Sequence, residues 1–193
     1  MEEVREALQK ITNQEQANEF VATYSGLTTE LFELNSRVDT TELDRKLIKL
    51  AVGNVMEFGS EDRQKNFFFK VLEVGKVNAF RVQYIFWDGN KLSSYEVDSL
   101  RSVVLRRVRK GEAFDKLAKL YSMDGNGANG GDLGWFDEGM MVKEFEDEVK
   151  KKNKGDIFPV DVASEKWYYV VRKSHDARVD TKVMVFYVEM VRE

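Results

Sequence analysis

Gly125, Gly127, Gly130, Gly131, Gly134 and Gly139 crowd into residues 125–139 of a 193-residue chain that has 13 glycines in all. Glycine reaches positive φ and lets backbone approach backbone, so this clustering predicts a tightly shaped loop. Helix-like stretches frame it, and Trp135, Phe136, Met140, Met141 and Phe145 lead from it into an apolar surface. A shaped loop beside such a surface predicts a shallow binding shelf.

Composition removes several function classes. A hydrophobic share of 42% suffices for a buried core, in one domain or two small ones. Charged residues reach 33%, but the net charge is −4 and no basic run exceeds Lys150-Lys151-Lys152, which argues against a nucleic-acid partner. There is no cysteine, hence no disulfide, thiolate nucleophile or cysteine-bound metal. The single histidine, His175, sits in the polar stretch Lys173-Ser174-His175-Asp176 and reads as a solvated loop residue, which excludes histidine triad chemistry. No apolar run approaches the roughly 18 residues of a membrane span. The start, Met1-Glu2-Glu3-Val4, lacks the basic and apolar parts of a signal peptide. The chain therefore reads either as cytoplasmic or as an excerpt of an exported protein.

Periodicity sets the order of elements. Val4, Leu8 and Ile11, then Ala17, Phe20, Val21 and Tyr24, predict two short amphipathic helices ending at Ser25-Gly26. An indeterminate stretch follows. Glu42 to Ala51 predicts a third helix on Leu43, Leu47 and Leu50, with Gly53 as its C-terminal cap. Phe67 to Val74 and Arg81 to Trp87 are β-branched and aromatic-rich and predict two strands. Asp88-Gly89-Asn90 ends the second, and Val97, Leu100, Val104 and Val108 predict a helix over Ser94 to Lys110. A short helix over Asp115 to Tyr121, the glycine loop, a helix through Phe145 and Val149, and strands near Trp167 to Arg172 and Lys182 to Glu189 complete the chain. Without regular βαβ alternation, the expected class is α+β with an antiparallel or mixed sheet.

A weak repeat runs through this order. Glu42-Leu43 and Gly53 recur as Glu144-Phe145 and Gly155, each displaced by 102 positions (144 − 42; 155 − 53). Phe67-Phe68-Phe69 and Arg81-Val82 correspond within a residue or two to Trp167-Tyr168-Tyr169 and Lys182-Val183. Residues 1–75 read either as a reduced copy of the later module or as a commonplace order of elements. Strand 182–190 is expected to pair with strand 66–74 and complete the N-terminal region, leaving 76–176 inserted as the second domain.

Three ordered segments carry a resemblance to a known family: Tyr121-Ser122-Met123-Asp124, Gly130-Gly131-Asp132-Leu133-Gly134-Trp135-Phe136, and Gly139-Met140-Met141-Val142-Lys143-Glu144-Phe145-Glu146. With Gly111 and Phe114 upstream and Gly155-Asp156-Ile157 and Pro159-Val160 downstream, residues 80–173 resemble the parvulin-type (PpiC, rotamase) peptidyl-prolyl cis-trans isomerases. The resemblance implies a four-stranded antiparallel sheet wrapped by helices, with a short strand near Leu133 to Phe136. It implies an isomerase of Xaa-Pro bonds that needs no cofactor or metal. Leu133, Met141 and Phe145 would clasp the proline ring, with Ser122 among the substrate-binding residues. Asp124 would stand beside the isomerising carbonyl. Core packing for the first three, and turn capping for Asp124, are the plainer alternatives. Asp132 reads as structural, bonding loop amides.

The family usually carries two histidines under its site. Here Tyr84 stands at the first position and Tyr169 or Tyr168 at the second. Tyr84 and Tyr169 therefore join Asp124 as the candidate catalytic residues. The replacement motivates a competing reading as a non-catalytic parvulin-fold chaperone or peptide-binding scaffold. Either way the resemblance implies unfolded or proline-containing polypeptide partners. It also implies a multi-module folding factor of the bacterial cell envelope or periplasm, anchored, if at all, through another part of the parent protein.

Overall fold

A computed structural model describes residues 2–62 and 64–191. In chain order the elements are α1 (Glu2–Lys10), α2 (Gln14–Thr23), β1 (Thr28–Asn35), α3 (Glu42–Ile48), β2 (Val55–Gly59), β3 (Lys65–Asp88), α4 (Ser94–Arg109), α5 (Phe114–Tyr121), a 3-10 helix (Gly125–Asn129), β4 (Asp132–Asp137), α6 (Lys143–Lys150), β5 (Ile157–Val162), β6 (Trp167–Lys173) and β7 (Arg178–Val191). The chain divides into two compact units, Met1–Val77 with Asp180–Glu193, and Asn78–Val179. Both are helix-on-sheet structures with antiparallel strand pairs.

In the first unit the strand order is β1, β7, β3, β2. On one face, α1 and α2 bury Val4, Leu8, Ala17 and Phe20 against Phe68, Leu72, Phe186 and Val188. Ile11 is buried too but lies just past α1, and Val21 is on the exposed side of α2. The other face is covered by α3, whose Leu47 packs with Leu34, Phe69, Val71, Val183 and Val185. A reciprocal capping box between Thr41 and Asp44 starts α3.

Several expectations need correction here. The helix ends at Ile48 with Lys49 as its cap, so Gly53 does not cap it. Gly53 adopts φ +85° in the turn that feeds β2 and donates its N–H to Val71 O. The indeterminate stretch is β1, and β2 and β5 went unassigned because five or six residues carry too little alternation. The two strands expected at 67–74 and 81–87 are one continuous strand, because Gly75 and Asn78 lie in extended backbone without closing a turn.

In the second unit β4 pairs with β3, β3 with β6 and β6 with β5, all antiparallel. Alternation sends Ile85, Trp87 and Val170 to one face, where α4 and α5 bury Val97, Val104, Phe114 and Leu117. Phe80, Val82, Phe158, Val160 and Val171 face the other way and pack on Phe145 and Val149 of α6.

The two hairpins β2–β3 and β5–β6 share one geometry. Gly53 N donates to Val71 O at 2.8 Å while Val71 N donates to Asn54 O at 3.1 Å. Gly155 N donates to Lys173 O at 2.7 Å while Lys173 N donates to Asp156 O at 3.0 Å. Every position is displaced by 102 (155 − 53, 173 − 71, 156 − 54), and so are the registers Val55↔Lys70 and Ile157↔Arg172 (157 − 55, 172 − 70).

Candidate functional site

Strand alternation builds the floor of the site. Tyr84 and Phe86 share the face of Val82, and the register Phe86↔Tyr169 brings Tyr169 to that same face. The Tyr84 and Tyr169 rings meet edge-on, with centroids 5.7 Å apart at 83°. Tyr168 belongs to the opposite face, with Trp87 and under the Arg101 guanidinium, so Tyr169 is the partner that faces Tyr84. Phe145 of α6 stands edge-on to both tyrosines, at 6.4 and 5.3 Å. It is only 4% exposed, whereas Tyr84, Leu133, Met141 and Tyr169 are half-buried around the same cluster. The expected proline-clasp residues thus divide into one core ring and two accessible side chains.

A polar edge joins this apolar floor. Ser122 caps α5, accepts from Phe86 N–H at 3.0 Å and donates to Asp124 Oδ1 at 2.7 Å. Tyr84 donates its hydroxyl to Asp124 Oδ2 at 2.7 Å. Asp124 therefore spends both carboxylate oxygens on side-chain hydroxyls, and its side chain does not cap the 3-10 helix that follows. Burial, and then the bond to Asp124, push the Tyr84 hydroxyl well above its ordinary pKa. Burial, followed by the nearby Asp124 charge, pushes Tyr169 up to about 12. Both rings are therefore neutral hydroxyl donors at physiological pH.

The glycine loop makes this edge possible. Gly131 takes φ +75° and accepts from Tyr84 N–H at 2.9 Å, and a Cβ there would lie 2.2 Å from Tyr84 O. Asp132 is gripped by the Arg81 guanidinium through two bonds and accepts from Gly134 N–H at 3.0 Å. That pairing holds its carboxyl below the usual range and ties the start of β4 to β3.

Sequence reasoning assigned no role to Glu146, which is 4% exposed. Its carboxylate accepts from Gly139 N–H at 2.9 Å and Met141 N–H at 2.9 Å, fastening the loop that presents Met141. Its signal was its place at the end of the third family-like segment, directly after Phe145 in a helix of otherwise mostly charged residues. Phe86 was also missed as a floor residue, its ring 5.2 Å from that of Tyr169. His175 stays outside the cluster, exposed beside Trp135 and against Ser174 Oγ. Among the described residues no group of three or more His, Cys, Asp or Glu side chains is arranged to hold a metal ion. The arrangement offers an open apolar patch with hydroxyl donors and one carboxylate at its rim.

The model of the PPIC-type PPIase domain matches residues 88–176. These residues belong to that domain family. The match encloses Ser122, Asp124, Leu133, Met141, Phe145 and Tyr169, and begins four residues after Tyr84 (88 − 84). The chain is 54% identical over 55 residues to "Foldase protein PrsA" of Geobacillus kaustophilus, covering 28% of this chain and 20% of that one. It is 55% identical over 40 residues to "Chaperone SurA" of Chromobacterium violaceum, covering 21% of this chain and 9% of that one. Among solved structures, PrsA from Bacillus subtilis aligns at 31% identity over 51% of this chain and 35% of that one, with a TM-score of 0.42. The aligned part of this chain thus spans about a fifth of the length of the PrsA relatives it matches.

Proposed function

We propose that the second unit is a peptidyl-prolyl cis-trans isomerase acting on Xaa-Pro bonds of unfolded or exported polypeptides, with Tyr84, Asp124 and Tyr169 as its catalytic groups. The observation that carries this reading is one face on which accessible apolar side chains, Leu133 and Met141, flank Tyr84, itself hydrogen-bonded to Asp124. Isomerisation makes and breaks no covalent bond; its barrier of roughly 18–20 kcal/mol is loss of amide resonance. A protein need only bind the twisted amide better than the planar one. Twisting withdraws charge from the carbonyl oxygen and returns it to the imide nitrogen. A carboxylate at the rim disfavours the charge-separated planar amide, and a half-desolvated patch that seats the proline ring favours the twisted one. Tyr169 Oη, which has no hydrogen-bond partner among the described residues, is the donor left to meet the substrate backbone.

Two-dimensional NMR exchange on Ala-Pro peptides tests this, since the uncatalysed reaction takes tens of seconds or longer. Wild-type protein accelerates exchange and Met141→Ala slows that acceleration. No acceleration at stoichiometric protein overturns the enzyme reading and leaves the second: a parvulin-fold chaperone or scaffold that binds without turnover. What favours that alternative is the edge-on packing of Tyr84 on Tyr169, on the reading that these rings replace the family's two histidines. We also propose a cell-envelope location. No helix among the described residues is long and apolar enough to cross a membrane.

A further inference from the structure

We infer that the first unit is a second copy of the same fold and that its uncovered aromatic face is a separate binding site for extended polypeptide. This rests on reading the Tyr84–Tyr169 face as polypeptide-binding.

The equivalence comes from geometry rather than from the weak sequence repeat. In the first unit the strands run β1, β7, β3, β2, and in the second β4, β3, β6, β5. In each, a helical pair covers one face and a single short helix the other. Adding 102 converts Leu43, Leu47, Met56, Phe67 and Phe69 into Phe145, Val149, Phe158, Tyr169 and Val171, and each set packs in one cluster. The ring contact between Phe67 and Tyr187, at 6.4 Å, corresponds to that between Tyr169 and Phe86, at 5.2 Å. The face that carries Tyr169 in one unit therefore carries Phe67 in the other.

What occupies that face differs in chemistry. α3 is only seven residues long and covers the end of the sheet near Leu34 and Val183. Beyond it Phe58, Phe67, Phe69 and Tyr187 line an open depression with Phe32 and Glu30. Phe58 is 40% exposed and stacks on Phe69 at 5.6 Å. The chain passes from α2 to β1 through Tyr24-Ser25-Gly26-Leu27, a connection that has no counterpart of the glycine loop and carries no carboxylate. This face can hold a chain but lacks the loop that carries Asp124 beside Tyr84 in the second unit.

The occupant follows from the lining. Among the described residues β2 has β3 as its one strand neighbour, which leaves its outer backbone edge to an extended segment. Glu30 lines the depression and forms no ion pair among the described residues, while Glu189, which accepts from Tyr187 at 3.0 Å, is already paired with Lys65 at 2.6 Å. The Glu30 carboxylate at the rim of an aromatic floor fits a segment of alternating large apolar side chains flanked by lysine or arginine.

The test uses the full chain and a labelled, proline-free peptide of alternating phenylalanine and threonine with lysine at both ends. Peptide-induced NMR shifts fall on Phe58, Phe67, Phe69 and Tyr187. Phe58→Ser weakens binding about tenfold, and Glu30→Lys, which leaves the floor intact, weakens the lysine-flanked peptide and strengthens a glutamate-flanked one. Shifts confined to Tyr84, Met141 and Tyr169, or unchanged affinity in both variants, overturn the inference. So does a concentration-dependent dimer that perturbs the same residues and is not displaced by peptide, because the face then belongs to a second copy. Failure of the isomerase reading is separate: it appears as unaccelerated Ala-Pro exchange, whatever the proline-free peptide does.

Discussion

Tyr84 donates to Asp124 at 2.7 Å across 40 residues of sequence, coupling β3 to the loop after α5. Tyr84→Phe removes this bond and leaves Asp124 held by Ser122 alone. Expected losses are about 1–2 kcal/mol of stability and several-fold in peptide exchange. Tyr169→Phe is the contrast: it breaks no protein hydrogen bond, so stability changes little and any loss of exchange rate reports on substrate. Urea unfolding and NMR exchange on both variants check the difference.

Alkali should destabilise the protein through these hydroxyls. An unfolded tyrosine titrates near ~10, and Tyr169 in the folded chain titrates at about 12. The folded state therefore holds its proton more tightly. The stabilisation is complete below about pH 10 and is lost as pH rises toward the folded value. Ultraviolet difference titration should show a late-titrating component that shrinks in Tyr169→Phe.

Gly131 and Gly134 share φ +75°, but only Gly131 has backbone in the way, with a Cβ placed 2.2 Å from Tyr84 O. Gly134→Ala is expected to cost about 1–2 kcal/mol, the left-handed penalty alone. Gly131→Ala must in addition push β4 from β3, so the second unit should unfold at far lower denaturant concentration or not fold. Equal losses from the two substitutions would count against this close approach.

Glu146 accepts from two backbone amides of the Met141 loop. Glu146→Ala leaves both donors without it, with an expected loss of about 2–3 kcal/mol. Hydrogen exchange at Gly139 and Met141 should accelerate before that of Val149, and Ala-Pro peptide affinity should fall with it. Glu146→Gln, which keeps one acceptor oxygen, should recover part of both.

Much of the second unit was legible because its signals are local. Val97 and Val104 repeat at helical spacing on α4, and Ser93 with Glu96 forms its capping box. The glycines of 125–139 announce a loop through their own backbone freedom. Less was legible in the first unit. β1 and β2 are short, and their faces become readable only once β7 and β3 lie beside them. Tyr168 and Tyr169 could not be told apart by spacing, since one step along a strand reverses the face and only the Phe86 register chooses between them.

Sequence by itself determined that a glycine-built loop precedes an apolar segment, that no cysteine or histidine machinery is available, and that residues near 94–150 alternate helix, loop and helix. These properties depend on residue type and near-neighbour spacing. Tertiary structure alone decided that Tyr169 rather than Tyr168 meets Tyr84 and Phe145, that Asp124 accepts from Tyr84, that Glu146 fastens the Met141 loop, and that β1 lies on the far side of β7 from β3. The physical reason is that strand pairing and buried hydrogen bonds join residues tens of positions apart. Their register is chosen by the packing of whole faces, which no local stretch of sequence contains.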